Sequence, residues 1–111
     1  MLNKKDKTRL YNLPDNITYS LSAVTLFELF MGATSTEKEN DIFLLTDGLN
    51  ILSFNDAVAL RSGQIYQELR KRNQLIDFRD IFIAATCLVN DLPLATLNRK
   101  HFERVEGLIL I

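Results

Sequence analysis

A single cysteine, Cys87, leaves this chain without an internal disulfide, and the lack of a second thiol removes any cysteine-based zinc site. No apolar run reaches the roughly 18 residues that a membrane-spanning helix needs, and no signal-like apolar segment follows the lysine-rich start. Net charge is scarce as well. Thirteen basic and fourteen acidic residues give a formal charge of -1, which excludes a protein that coats DNA by charge alone. A nucleophile elbow, a P-loop and a zinc-binding HExxH are all absent, and with them the chemistries they carry. There is no internal repeat and no low-complexity segment. These absences leave a cytoplasmic protein of one domain, residues 1–111, with 47% hydrophobic and 24% charged side chains.

The charge that is present is unevenly placed. Residues 1–10 carry +3, residues 11–60 carry -6 and residues 61–111 carry +2. An acidic middle with more basic flanks suits a site that holds a cation while its rim meets phosphates, and equally a solvated surface of uneven charge.

Along the chain, turn signals and apolar periodicity predict alternating elements. Residues 7–13 read as a short helix ended by Pro14, and residues 17–21 as a strand. Ser22 caps a helix that Gly32 ends; it is apolar nearly all round and is expected to be substantially buried. A helix over 37–46 closes at Asp47-Gly48, residues 49–54 form a strand, and Asn55 or Asp56 caps a helix to Arg72 that buries Val58, Ile65 and Leu69. Strands at 92–97 and 108–111 flank a turn, NRKHFERVEG. No hairpin turn joins adjacent strands, so the pattern implies a parallel sheet with helices on both faces.

The organising stretch is DFRDIFIAATCLVN, residues 77–90. Ile81, Ala84, Ala85 and Leu88 form one apolar face of a helix, and the two alanines let it lie close against a flat partner such as a sheet. Asp77 and Asp80 open it. Two readings stand side by side: both are helix-start carboxylates favoured by capping and the helix dipole, or both belong to an acidic site. Glu28 sharpens the second reading, being the one charge in the fifteen residues from 21 to 35. A buried unpaired carboxylate is costly, so Glu28 is solvated at a cleft, paired or protonated, or it simply faces solvent. In open α/β sheets functional groups gather at the carboxyl ends of strands. Glu28, Asp77 and Asp80 are therefore expected to form one cluster, with Asn98 beside it. Carboxylates so gathered call for a divalent cation, and hard oxygen donors suit Mg²⁺ or Mn²⁺. Asn98 and Thr96 can bind water on such an ion. His101 is either a proton carrier or phosphate contact, or a structural residue of the turn.

At these residues the chain resembles the PIN domain, specifically the VapC-type toxins of bacterial and archaeal toxin–antitoxin pairs. The stretches that carry the resemblance are SAVTLFELFMGA, IDFRDIFIAATCLVNDLPLATLN and HFERVEGLILI. It implies a three-layer α/β/α sandwich around a mostly parallel sheet, Mg²⁺- or Mn²⁺-dependent cleavage of RNA, homodimerisation and inhibition by a cognate antitoxin. Glu28 matches the family's helix glutamate and Asp80 the aspartate before the IAA segment. Asp77 is the accompanying acid, and Asn98 falls where relatives carry a fourth carboxylate or Asn. Arg79, Arg99 and Lys100 neighbour this site in sequence and are the candidate RNA contacts, with surface salt bridges as the competing reading.

One departure stands out. The family opens with a buried central strand ending in aspartate, in a pattern like LLDTNVLID, and residues 1–5 hold nothing of the kind. The expectation is an internal start or a shortened relative, with the first, central strand missing and ribonuclease activity weak until an upstream strand ending in Asp is restored. The alternative is a non-catalytic protein of the same fold that acts through dimerisation or antitoxin binding. Phe27, Phe30, Met31, Ile42, Phe43 and Leu44 exceed what four strands cover, so they either meet a partner or fill the core.

Overall fold

A computed structural model describes residues 19–111, which divide into two compact units, one ending at Leu52 and one running from Ser53 to Ile111. In the first unit, strand β1 (Ser20–Ser22) leads into helix α1 (Ala23–Met31), followed by α2 (Thr36–Thr46) and strand β2 (Asn50–Leu52). The strands pair in parallel, Ser20 with Asn50, Leu21 with Ile51 and Ser22 with Leu52. A parallel pair needs a long crossover, and α1 and α2 supply it. The strands expected at 17–21 and 49–54 are thus three residues each, shifted or trimmed to the paired positions. Residues 17–18, and the helix expected at 7–13, lie outside the described residues.

Ser22 serves both strand and helix, its Oγ accepting from Thr25 N at 3.0 Å. Gly32 does end α1, but in a right-handed conformation (φ -86°) and not the left-handed one that glycine permits. Tight bonds from Gly32 N to Leu29 O and from Ala33 N to Phe30 O close the helix instead. Ser35 caps α2 through Lys38 N, and the chain turns at Gly48, whose φ of +81° is a glycine conformation.

The second unit holds α3 (Asp56–Lys71), α4 (Phe78–Val89) and a short α5 (Arg99–Phe102). Asn55 Oδ1 accepts from Val58 N at 3.0 Å to start α3, and Arg70 and Lys71 stand in its last turn. Among the described residues, the strands expected at 92–97 and 108–111 reduce to one parallel bridge, Leu94 with Leu110. The core gathers Val58, Ile65 and Leu69 of α3 with Ile81, Ala84 and Ala85 of α4, and with Phe102 and Val105. Within the second unit, the alanine face of α4 packs against a helix, α3. Small side chains let two helix backbones approach as readily as a helix and a sheet.

The expected burial of α1 is corrected by the structure. Leu29 and Glu28 are its buried residues, whereas Phe27 and Met31 are more than half exposed, as are Phe43 and Leu44 of α2. Ile42 is buried, and Phe30 meets Phe43 in a tilted ring contact with centres 5.1 Å apart. The apolar surplus of this unit is thus only partly absorbed by its own core.

Candidate active site

Asp77 ends the approach to α4 in an extended conformation and accepts from Arg79 N at 2.9 Å through Oδ1. The same oxygen receives the Arg79 guanidinium Nε at 3.4 Å. The backbone bond from Arg79, then its guanidinium, hold the Asp77 carboxyl below its ordinary value of 3.8. Asp77 is therefore a helix cap in fact, as the first of the two readings has it. A folded-state value below the unfolded one means that this contribution is present above the ordinary carboxylate range and is lost as pH falls through the lowered value. Its size is limited by solvent screening, since half the side chain is exposed. Asp77→Ala is expected to cost about 1 kcal/mol of stability at neutral pH in urea denaturation. Asp77→Asn should retain most of that and flatten the acid-side dependence. Equal stability of the Ala variant and the wild type would contradict the cap.

Asp80 sits one turn further, at N3 of α4, with 21% of its side chain exposed. Its Oδ2 lies 3.1 Å from His101 Nδ1, and the same ring nitrogen lies 3.0 Å from the Asn98 amide. Three residues from two distant segments thus meet at the start of α4. What brings them there is the turn expected at 98–107, which begins with helix α5. Asn98 precedes its first residue, and the Asn98–His101 spacing of one turn puts both on one side. Phe102, next to His101, is buried in the core and anchors the helix. Thr96 Oγ1 accepts from Asn98 N at 3.0 Å, so this hydroxyl is engaged in shaping the loop.

Arg79, Arg99 and Lys100 are all exposed. Arg79 pairs with Asp77, and Arg99 Nη1 donates to Ile111 O at 3.4 Å. Cys87, as expected, lies in the interior, where burial pushes its thiol up to about 11 and suppresses the reactive thiolate.

Glu28 stands in the first unit and is 8% exposed, so the simple solvent-facing reading of it is excluded. Glu28 is not without a partner. The structure brings together Asp80, His101 and Asn98; Glu28 and Asp77 are described on their own elements. The contact that sequence reasoning missed is Asp80 with His101. Recognising Asn98-x-x-His101 as a helical turn is the signal that leads to it.

Among the described residues, no three His, Cys, Asp or Glu side chains form a complete metal cage. Mg²⁺ does not require one, because it keeps several waters and is usually held by one or two carboxylates. A half-buried Asp80 carboxylate with one oxygen oriented by a neighbour fits that chemistry, and oxygen donors in place of thiolates favour Mg²⁺ or Mn²⁺ over Zn²⁺. No helix among the described residues is long and apolar enough to cross a membrane.

Comparison with known proteins identifies the family to which the chain is similar. Residues 4–108 match the PIN domain. The chain is 31% identical over 87 residues to "Ribonuclease VapC1" of Methanocaldococcus jannaschii, an alignment covering 78% of this chain and 64% of that protein. It thus spans slightly less than two thirds of that relative's length. It is 32% identical over 92 residues to "tRNA(fMet)-specific endonuclease VapC" of Shigella flexneri, covering 79% and 70%. The solved structure of VapBC-1 from nontypeable Haemophilus influenzae superimposes with a TM-score of 0.80 at 30% identity, over 98% of this chain and 84% of that one.

Proposed function

The chain belongs to the PIN-domain family, and from that premise we propose that it is a VapC-like, Mg²⁺- or Mn²⁺-dependent endoribonuclease of the cytoplasm. The observation that carries the reading is the meeting of Asp80, His101 and Asn98, since it joins the two stretches of sequence that resemble the family most specifically. Asp80 and Glu28 supply carboxylates to one ion, with Asp77 as an accompanying acid and Asn98 as a neutral polar neighbour. When bound, the ion supplies charge neutralisation and an activated water at the phosphodiester. Arg99, Lys100 and Arg79 meet the phosphates of the RNA. The names of the relatives, ribonuclease and tRNA-specific endonuclease, support RNA as the substrate.

The RNA half of the proposal is tested by salt. Binding of a single-stranded RNA should weaken as salt rises, with each phosphate contact contributing about 0.7 to the logarithmic slope. Reversing Arg79, Arg99 and Lys100 to Glu together should lower the slope by about 2 and weaken binding at low salt. Unchanged affinity and slope would remove these residues from the interface.

The same proposal includes a partner. Phe27, Met31, Phe43 and Leu44 present apolar surface on the first unit, which supports pairing with a second copy or with an antitoxin. The VapBC name of the solved relative supports the antitoxin. Light scattering of the purified chain at high micromolar concentration should show a dimer that Leu44→Asp with Phe43→Ser dissociates. A strictly monomeric wild type that also fails to bind an antitoxin would contradict this. Association without any Mg²⁺-dependent cleavage would favour the second reading, a non-catalytic protein of the same fold.

A further inference from the structure

The bond between His101 and Asp80 has a direction that the chemistry of its atoms dictates. An ionised carboxylate only accepts hydrogen bonds, so the ring nitrogen facing Asp80 Oδ2 at 3.1 Å must carry a hydrogen. That nitrogen is Nδ1, and a protonated Nδ1 has no lone pair left to accept with. Asn98 Nδ2, 3.0 Å from the same atom, then finds no lone pair there to donate to; with the amide turned over, its oxygen shares the Nδ1–H with Asp80 Oδ2 in a three-centre bond. The two ends of the amide differ little in size, so this exchange needs no extra room.

We propose that His101 is a positioning residue for the metal ligand Asp80: its Nδ1–H, steered by the Asn98 amide, ties down Oδ2 and leaves Oδ1 as the oxygen offered to the cation. This rests on the reading of Asp80 as a ligand. Several features of the structure suit the role. Phe102 is buried in the core, which fixes the backbone of α5 next to His101. Thr96 Oγ1 binds Asn98 N and shapes the loop that delivers the amide. Asp80 itself is placed by a helix whose next residue, Ile81, is fully buried. Both partners of the bond are therefore carried on anchored elements. The neutral ring suffices, because one N–H in the right place is all that the arrangement requires. Groups that orient a ligating side chain typically contribute 10–100-fold to metal affinity.

Two measurements on the full chain test this. His101 is the one histidine of the sequence. A long-range ¹H–¹⁵N spectrum, recorded about two pH units above the ordinary imidazole value, therefore reads its tautomer without ambiguity. The hydrogen is expected on Nδ1 in the wild type and on Nε2 in Asp80→Ala. A wild-type ring with its hydrogen on Nε2 overturns the proposal.

The second measurement is Mn²⁺ affinity by electron paramagnetic resonance, which needs no substrate and no turnover. An Asn side chain places an N–H donor where Nδ1 lies, whereas Gln reaches toward Nε2. His101→Asn should bind Mn²⁺ within about threefold of wild type, and His101→Gln and His101→Ala about 10–100-fold more weakly. The contrast between the two amide variants keeps the test sound even if the alanine variant folds poorly. Wild-type affinity in all three variants, or rescue by Gln and not Asn, overturns the positioning role. If Asp80→Ala also binds like the wild type, the reading of Asp80 as a ligand falls, and this proposal with it.

Discussion

Replacing Asp80 with alanine is expected to reduce whatever Mg²⁺-dependent RNA cleavage the chain supports by about 10³-fold, because a divalent ion contributes several kcal/mol to the transition state of such reactions and each 1.4 kcal/mol is tenfold in rate. The loss should fall on turnover and not on RNA affinity, since the proposed phosphate contacts are Arg79, Arg99 and Lys100. Folding should change little. Asp80 is partly exposed on the first turn of α4, and the cap of that helix is Asp77, whose bonds use its own Oδ1. The control is Glu106→Ala, an exposed acid outside the proposed site, which removes the same charge. Its cleavage should match the wild type. Cleavage by Asp80→Ala at the wild-type rate would sink the catalytic assignment.

The largest effect on stability is expected at Ala84. This residue and Ala85 are completely buried in the cluster where α4 packs on α3. Interiors are close-packed, and added methylene groups have to displace neighbours. Ala84→Leu should therefore cost about 1–3 kcal/mol, occasionally more. That is a large part of a typical total of about 5–15 kcal/mol. At about 4–8 °C per kcal/mol for a small domain, thermal melting should fall by roughly 5–20 °C. Leu60→Ala, an exposed position on α3, should remain within about 0.5 kcal/mol of the wild type. Because α4 carries Asp80, Ala84→Leu should also impair metal binding before the protein unfolds. An unchanged melting temperature would show that the helices are less closely packed than the burial of Ala84 indicates.

The four longer helices were legible because each begins with a residue whose side chain makes a specific local bond. Ser22, Ser35, Asn55 and Asp77 all cap as their residue types suggest. Val58, Ile65 and Leu69 lie inward at helical spacing, as periodicity requires. Strands were harder. Residues 92–97 and 108–111 have strand-like composition, but among the described residues only Leu94 and Leu110 pair, and pairing depends on neighbours far along the chain. Helix α5 is four residues long, too short for an 11-residue periodic window, so its segment read as a turn. That one omission hid the approach of His101 to Asp80, which lie 21 positions apart. Composition also misled at α1. Its apolar residues implied full burial, yet the buried side of the helix contains its one acid, Glu28, while Phe27 and Met31 face outward. Apolar residues that face outward and apolar residues that fill a core share one composition, so only the folded chain separates them.

That Glu28 and Asp80 serve the same divalent ion is a proposal, and Mn²⁺ binding tests it without a substrate. Electron paramagnetic resonance titrations of Glu28→Gln, Asp80→Asn and the double variant hold side-chain size nearly constant while removing charge. Each single variant is expected to weaken Mn²⁺ binding by at least about 10-fold. The double should be much less impaired than the product of the two, because groups that act on one ion are not additive. Wild-type Mn²⁺ affinity in either single variant, with the variant shown to be folded, would contradict the account.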